Sequence, residues 1–135
     1  MKWLTVILLG FFLAAEQGEF SHKTHAPLRL NCTSCHEGAE SSDRAGFPKL
    51  AQCQTCHRDY AGQIPSQRIY QLPDFVFFSH AVHAKGKAPC GDCHGDVWRQ
   101  QRIQLFRGVK MKDCVDCHKQ RQATEGCTAC HELGQ

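Results

Sequence analysis

Five copies of one short cysteine motif constrain this 135-residue chain more than any other feature. All ten cysteines fall into C-x-x-C pairs, and a histidine follows each pair immediately. The two thiols of C-x-x-C-H can add to the vinyl groups of one porphyrin, and the adjacent histidine can bind its iron as the proximal ligand. The sequence therefore predicts five covalent c-type haems, numbered 1 to 5 in the order of their motifs. The motifs are Cys32, Cys35 and His36; Cys53, Cys56 and His57; Cys90, Cys93 and His94; Cys114, Cys117 and His118; and Cys127, Cys130 and His131.

Two other uses of the cysteines fit the spacing less well. Five disulfides are the ordinary expectation for ten cysteines in an exported chain, but they do not explain the histidine after each pair. Zinc ribbons use C-x-x-C pairs two at a time and would leave the fifth pair over. They also have no need of a histidine after every pair. Covalent haem accounts for all fifteen residues of the five motifs.

The ordinary apolar content is too low for a conventional protein core. After residue 15, Leu, Ile, Val and Phe supply 20 of 120 residues, and chains below roughly 20% are expected to be disordered unless something else fills the interior. So low an apolar content excludes a doubly wound nucleotide-binding fold, a barrel or an enzyme with a large protein core. We expect the fold of a small multihaem cytochrome c, mostly irregular coil with a few short α-helices wrapped around a haem core and little or no β-sheet. Helices are expected at the haem motifs, notably over residues 109–123.

The N-terminus has the pattern of an export signal. One lysine precedes an apolar run over residues 3–15, which ends in two alanines before polar sequence. This pattern predicts a secretory signal peptide at residues 1–15, with an uncleaved anchor as the alternative. The run is shorter than the about 20 residues that span a membrane. Either interpretation places the remainder of the chain in the periplasm or outside the cell.

The four histidines outside the haem motifs form two copies of one pattern. Residues 20–25 and 78–83 both read F-S-H-x-x-H, and each copy ends seven residues before the first cysteine of a haem motif. Taken alone, H-x-x-H could be a surface metal site or simply two polar surface residues that bind nothing. Its duplication favours distal haem ligation by His22, His25, His80 and His83. Two histidines three apart on a helical turn can direct their rings toward different irons.

The repeat divides the chain into two modules joined by a linker. The segments 20–59, 60–74 and 75–135 are interpreted as a two-haem module, a linker and a three-haem module. Gly62, Pro65 and Pro73 are typical of such a connecting segment.

The supply of distal ligands is one short. Five haems need five distal ligands, but the chain has only four histidines outside its motifs. Apart from Met1, the only methionine is Met111, three residues before Cys114. Methionine is an axial haem ligand that raises the reduction potential. Met111 is therefore the candidate for the fifth position, with Lys110, Lys112 or an open site as alternatives.

The pattern F-x-H-x-x-H followed by C-x-x-C-H motifs resembles the class III multihaem c-type cytochromes, namely the cytochrome c3 type and its three-haem relatives. In that family the first histidine of the pair binds the next haem in the sequence, and the second binds a neighbouring haem. The resemblance covers nearly all of the chain after the signal. It implies the distal assignments His22 to haem 1, His25 to haem 2, His80 to haem 3 and His83 to haem 4.

The second module resembles the three-haem form best, with one departure. That form has a histidine shortly before its second haem motif, which binds its third haem. Residues 108–113 contain no histidine here. The departure leaves the distal side of haem 5 without the family's ligand and points to Met111.

These features together predict an electron carrier with no catalytic residues. Haems with two axial ligands change oxidation state with little rearrangement and have no vacancy for substrate. The expected partners are a respiratory donor and an acceptor protein. One alternative is a small multihaem reductase of nitrite, hydroxylamine or a sulfur oxyanion with an open haem 5. Another is a structural subunit, either of a conductive filament or of a membrane complex.

The net charge gives no reason to expect a nucleic-acid partner. The formal charge is +3 at pH 7. Five haems would add about ten propionate carboxylates, which make the loaded protein negative overall. The sequence also has no basic stripe interleaved with aromatic residues.

Overall fold

Short helices and irregular chain make up the computed structural model, which describes residues 20–132. The predicted signal peptide at residues 1–15 lies outside the described residues. Within them there is no β-strand, only one isolated antiparallel bridge between Val76 and His131. The prediction of a mostly irregular chain with a few short helices is confirmed. The α-helices are α1 (His22–His25), α2 (Leu50–Gln54), α3 (His80–Lys85), α4 (Cys90–His94), α5 (Met111–Arg121) and α6 (Cys127–Cys130). Single 3₁₀ turns lie at Ala26–Leu28, Cys32–Ser34, Glu37–Ala39 and Val97–Arg99.

The internal repeat of the sequence is also a repeat of backbone structure. Ser21 caps α1 by accepting the Thr24 amide at 3.3 Å, and Ser79 caps α3 by accepting the Val82 amide at 3.4 Å. A serine hydroxyl at this position satisfies an amide that the first helical turn would leave unpaired. The connections to the haem motifs also match, because Arg29 and Lys87 adopt the left-handed conformation with φ of 51° and 57°.

The longest helix, α5, is two residues shorter at each end than the predicted range. Lys110 has an extended backbone, and its amide donates to the Asp113 carboxylate at 3.3 Å. At the other end, Gln122 turns left-handed with φ of 54° and ends the helix. Local capping therefore sets both boundaries, which apolar periodicity alone does not locate.

The helix expected at the second haem motif covers only its first cysteine. Helix α2 ends at Gln54, so Cys53 lies within it and Cys56 lies in the turn that follows. The amides of Cys56 and His57 both donate to the Cys53 carbonyl, at 3.2 Å and 2.9 Å. The Tyr60 amide then donates to the His57 carbonyl at 2.9 Å, which makes a separate turn instead of extending the helix. The prediction of a helix is therefore wrong at Cys56, although one turn of backbone still joins the two cysteines.

No hydrophobic side chain is buried among residues 20–132. The only buried residue in this range is the capping Ser21, at 4% exposure. Large side chains such as Phe75 and Phe106 are 58% and 59% exposed. The apolar side chains of the polypeptide thus do not form a core among themselves, as the low aliphatic content predicted.

None of the helices between residues 20 and 132 is both long enough and apolar enough to cross a membrane.

Candidate haem sites

Each C-x-x-C-H motif closes in a single helical turn. The amides of His36, His57 and His131 donate to the carbonyl of the first cysteine of their motifs at 2.8 Å, 2.9 Å and 2.9 Å. The other two motifs lie within α4 and α5. Residues three apart lie on one face of a helical turn, so the two thiols of a motif are neighbours. This is the arrangement that a single porphyrin with two vinyl groups requires.

Eight of the nine histidines form four ring pairs of nearly constant separation. Each pair joins one histidine of an H-x-x-H sequence to one histidine of a haem motif. The ring centroids are separated by 6.3 Å in His22/His36, 6.1 Å in His25/His57, 6.4 Å in His80/His94 and 6.1 Å in His83/His118.

This separation fits one iron between each pair of rings. Imidazole nitrogens bind metal ions at about 2 Å, so two rings on opposite sides of one ion have centroids about 6 Å apart. The His22/His36 and His80/His94 rings are nearly parallel, at 9° and 8°. The residues present therefore fit hexacoordinate haem iron at four of the five motifs.

Hydrogen bonds orient several of the rings for metal binding. The Nδ1 atoms of His25, His36, His80 and His83 lie 2.7 to 2.9 Å from backbone carbonyl oxygens. His118 makes the same contact with the Thr124 carbonyl. A carbonyl only accepts, so Nδ1 carries the proton and Nε2 keeps its lone pair for a metal. This support of the ring through its second nitrogen is typical of histidine ligands.

A phenylalanine in each repeat separates the two histidines of its pair. The Phe20 ring lies 4.9 Å from His22 at right angles and 4.8 Å from His25 in a stacked contact. Phe78 contacts the rings of His80 and His83 at 4.8 Å and 4.4 Å in the same two geometries. These contacts hold the two imidazoles in different directions. In the sequence, the signal for this role is the position of each phenylalanine in the repeat, two residues before the first histidine of the pair.

Tyr70, in the predicted linker, is a site residue that the sequence analysis missed. Its ring lies 4.7 Å from His94 in a T-shaped contact. Its hydroxyl donates to the Cys93 carbonyl at 3.0 Å and accepts the Phe106 amide at 2.9 Å. The segment 60–74 therefore contributes directly to the surroundings of the third motif. An aromatic residue within a polar connecting segment was the only signal.

All ten motif cysteines lie among the described residues as free thiols, and none forms a disulfide. Five of them are exposed and five are partly buried. The exposed thiols are those of Cys56, Cys90, Cys93, Cys114 and Cys127, and the partly buried ones are those of Cys32, Cys35, Cys53, Cys117 and Cys130. The first motif has two partly buried thiols, and the third has two exposed thiols. Each of the other three motifs has one exposed and one partly buried thiol.

Thiols of different motifs influence one another. Burial raises the pKa of Cys35, and the thiol of Cys53 raises it further. Burial likewise raises the pKa of Cys93, followed by the effect of Cys117. The motifs are thus close together in space.

The described residues hold no zinc-type cluster, because no group of three or more His, Cys, Asp or Glu side chains between residues 20 and 132 is arranged to bind a metal ion.

The fifth motif is held by the apolar segment at residues 75–77. The Phe77 amide donates to the Cys130 carbonyl at 2.8 Å, and the Glu132 amide donates to the Phe75 carbonyl at 3.3 Å. The Phe75 ring lies 5.9 Å from the ring of His131. Because the other eight histidines form the four pairs, the chain has none left to face His131. Met111 is the first residue of α5 and is 65% exposed.

Comparisons with known proteins agree with the cysteine and histidine pattern. The family model described as "Cytochrome c7 and related cytochrome c" matches residues 76–132, and the one described as "Cytochrome c3" matches residues 24–100. The multiheme cytochrome c subunit of menaquinone reductase from Nitratidesulfovibrio vulgaris is 27% identical over an alignment that is 157 residues long, gaps included. That alignment covers 84% of this chain and 75% of the relative. Since the cytochrome c3 match spans more than half of the sequence, this chain belongs to the cytochrome c3 family of multihaem cytochromes, which carry c-type haem and transfer electrons.

Proposed function

We propose that this chain relays electrons through five covalently bound c-type haems in the periplasm or outside the cell. The observation that carries the proposal is the set of four histidine pairs separated by 6.1 to 6.4 Å. Two imidazoles on one iron leave no coordination position for a substrate, which suits a carrier rather than a catalyst. A respiratory donor is oxidised by one electron at one end of the haem series, and an acceptor is reduced by one electron at the other.

The ligand assignments follow the ring pairs. His22, His25, His80 and His83 serve as the distal ligands of haems 1, 2, 3 and 4, opposite the proximal histidines of the same haems. The motif of Cys127, Cys130 and His131 holds haem 5. The segments 20–59 and 75–135 serve as the two-haem and three-haem modules, with residues 60–74 as the connection between them.

The match to a reductase subunit favours a role as a subunit of a complex over a role as a freely diffusing electron carrier. The relative is a cytochrome subunit of menaquinone reductase, and its similarity extends over most of this chain. We propose that this chain likewise passes electrons as part of a membrane-associated respiratory complex. A self-associated filament is the competing assembly. Size-exclusion chromatography with electron microscopy of the purified protein separates these from a monomeric shuttle.

The haem count tests the proposed function directly. We expect a pyridine haemochrome assay and the intact mass of the matured chain to give five haems. Replacing Cys127 and Cys130 together by alanine should lower the count to four, because the thioether attachment of one haem is lost. A count of four in the unmodified, fully matured chain would contradict the assignment of one motif.

Met111 is proposed as the distal ligand of haem 5. Thioether sulfur favours ferrous over ferric iron more than imidazole does, so haem 5 should have the highest potential of the five. We expect carbon monoxide to bind at most one haem of the reduced protein, and slowly. Met111→His should lower that potential and abolish the binding. Absorbance titration combined with redox potentiometry of both proteins measures these effects.

The alternatives for haem 5 give different results in the same experiment. Rapid carbon monoxide binding at one haem, together with turnover of nitrite or hydroxylamine, would show an open catalytic iron and contradict the carrier proposal. Binding at two or more haems would show that the distal histidine assignments are wrong. If Met111→His leaves the potential of haem 5 unchanged, the distal ligand would be Lys110 or Lys112 instead of Met111.

A further inference from the structure

The two repeats hold each other through equivalent hydrogen bonds. The Lys23 amide donates to the Gln100 carbonyl at 3.2 Å, and the Ala81 amide donates to the Ser42 carbonyl at 3.0 Å. Both donors follow the first histidine of their repeat, and both acceptors lie ten residues after the first cysteine of the other repeat. Each donor and each acceptor in one repeat thus has a counterpart 58 positions away in the other. Reciprocal contacts between equivalent positions are typical of a twofold relation.

These bonds satisfy amides that the short helices cannot pair themselves. The first amides of a helix have no partner within it. In α1 and α3 the serine caps take the third amide, while the second amide, that of Lys23 or Ala81, finds its acceptor in the other repeat. The helices that carry the distal histidines therefore depend on the opposite repeat for their termini.

The junction lies at the distal histidines of haems 1 and 3. The ring and the amide of His80 both contact the Asp43 carbonyl, at 2.8 Å and 3.2 Å. In return, the Trp98 ring lies 5.9 Å from the ring of His22. Asp43 follows the motif of haem 1, and Trp98 follows the motif of haem 3. Each repeat thus supports the distal ligand of the other repeat's first haem.

The first cysteines of the two repeats also meet at this junction. Burial raises the pKa of the Cys32 thiol, and the neighbouring thiol of Cys90 raises it further. Equivalent residues of two repeats that approach one another in this way are expected where a twofold axis passes between them.

The remaining neighbours follow from shared elements. Haems 1 and 2 are neighbours because α1 carries the distal histidines of both, and Gln52 donates to the Ser34 carbonyl between their motifs at 3.1 Å. Haems 3 and 4 share α3 in the same way, and Arg121 bridges to Asp92 at 2.8 Å. Only eight residues separate the motif of haem 5 from that of haem 4 in the sequence, and we place haem 5 beside haem 4 on that ground.

We propose that the haems are ordered 2, 1, 3, 4, 5 in space, with the electron crossing between modules where α1 and α3 each contact the segment that follows the first haem motif of the other repeat. This inference rests on the proposed function, since it takes the five motifs as haem sites. Haems 2 and 5 are then the two ends of the relay. The donor and the acceptor therefore meet the chain near the motifs that end at His57 and His131, and not near haem 1, which stands first in the sequence.

His22→Ala and His25→Ala provide a matched test, because both residues lie on α1. Each substitution should make one haem high-spin, and a high-spin ferric haem shifts the NMR signals of haem methyl groups on its neighbours. We expect His25→Ala to shift the methyl signals of one other haem, because haem 2 is terminal. His22→Ala should shift those of two other haems, because haem 1 lies between haems 2 and 3. The reverse result, two for His25→Ala and one for His22→Ala, would overturn the proposed order.

Hydrogen exchange of the unmodified, haem-loaded protein gives a second test that needs no substitution. The Lys23 and Ala81 amides should exchange at least about tenfold more slowly than the amide of Lys112, which is also the second residue of its helix. Exchange as fast as that of Lys112 would show that the junction is absent. A haem count below five would contradict the proposed function instead, so the two failures are distinguishable.

Discussion

Replacing His80 by alanine should convert haem 3 to the high-spin form, and replacing His83 should convert a different haem, haem 4. The two residues lie on the same helix, but their rings face different partners, His94 at 6.4 Å and His118 at 6.1 Å. Loss of a distal imidazole leaves ferric iron five-coordinate or bound to water, which is a weaker ligand. Absorption and EPR spectra of each variant should show one high-spin haem in five.

The helix itself provides the control for this pair. Val82 lies between the two histidines and is 67% exposed. Val82→Ala should therefore keep all haems low-spin, and the double variant of His80 and His83 should show two high-spin haems in five. The ligand assignment would be wrong if both single substitutions opened the same haem. It would also fail if neither produced high-spin iron.

Without haem attachment, the chain should be largely unfolded. Ordering the backbone costs about 1–2 kcal/mol per residue. Burial of apolar side chains normally offsets this cost, but no hydrophobic side chain among residues 20–132 is buried. Five porphyrins would supply the missing apolar contact surface. The same chain produced without haem maturation should show a far-UV circular dichroism spectrum of unfolded protein and no cooperative thermal transition.

The haem-loaded protein is the reference for this experiment. It should melt cooperatively and protect the amides of α5, whereas the haem-free chain should exchange them at rates close to those of an unfolded peptide. A haem-free chain with a cooperative transition and protected amides would contradict the inference that the cofactors form the core.

The sequence alone was enough to predict the fold class and the candidate haem residues. Both rest on local chemistry. The C-x-x-C-H spacing fits one helical turn, and an H-x-x-H pair fits another, so neither depends on the path of the rest of the chain. The scarcity of aliphatic residues predicted a fold without a conventional core, and the burial of residues 20–132 agrees with this.

The extent of the helices was predicted less well. The ends of α5 differ by two residues from the prediction because capping at Lys110 and Gln122 sets them. Helix α2 stops before Cys56, because the chain enters a new turn between His57 and Tyr60. Backbone hydrogen bonds of this kind depend on where the following segment goes, which the motif spacing does not specify.

Only the tertiary structure decided how the two repeats meet. The contacts of Tyr70 with the third motif and of Trp98 with His22 join residues far apart in the sequence. The hydrogen bonds donated by the Lys23 and Ala81 amides use backbone groups that every residue except proline has. No pattern of residue types in the sequence therefore predicts them. The sequence determined which side chains can hold haem, because covalent and helical spacing is local. How the two repeats meet depends on packing between distant segments, which the spacing of the motifs does not specify.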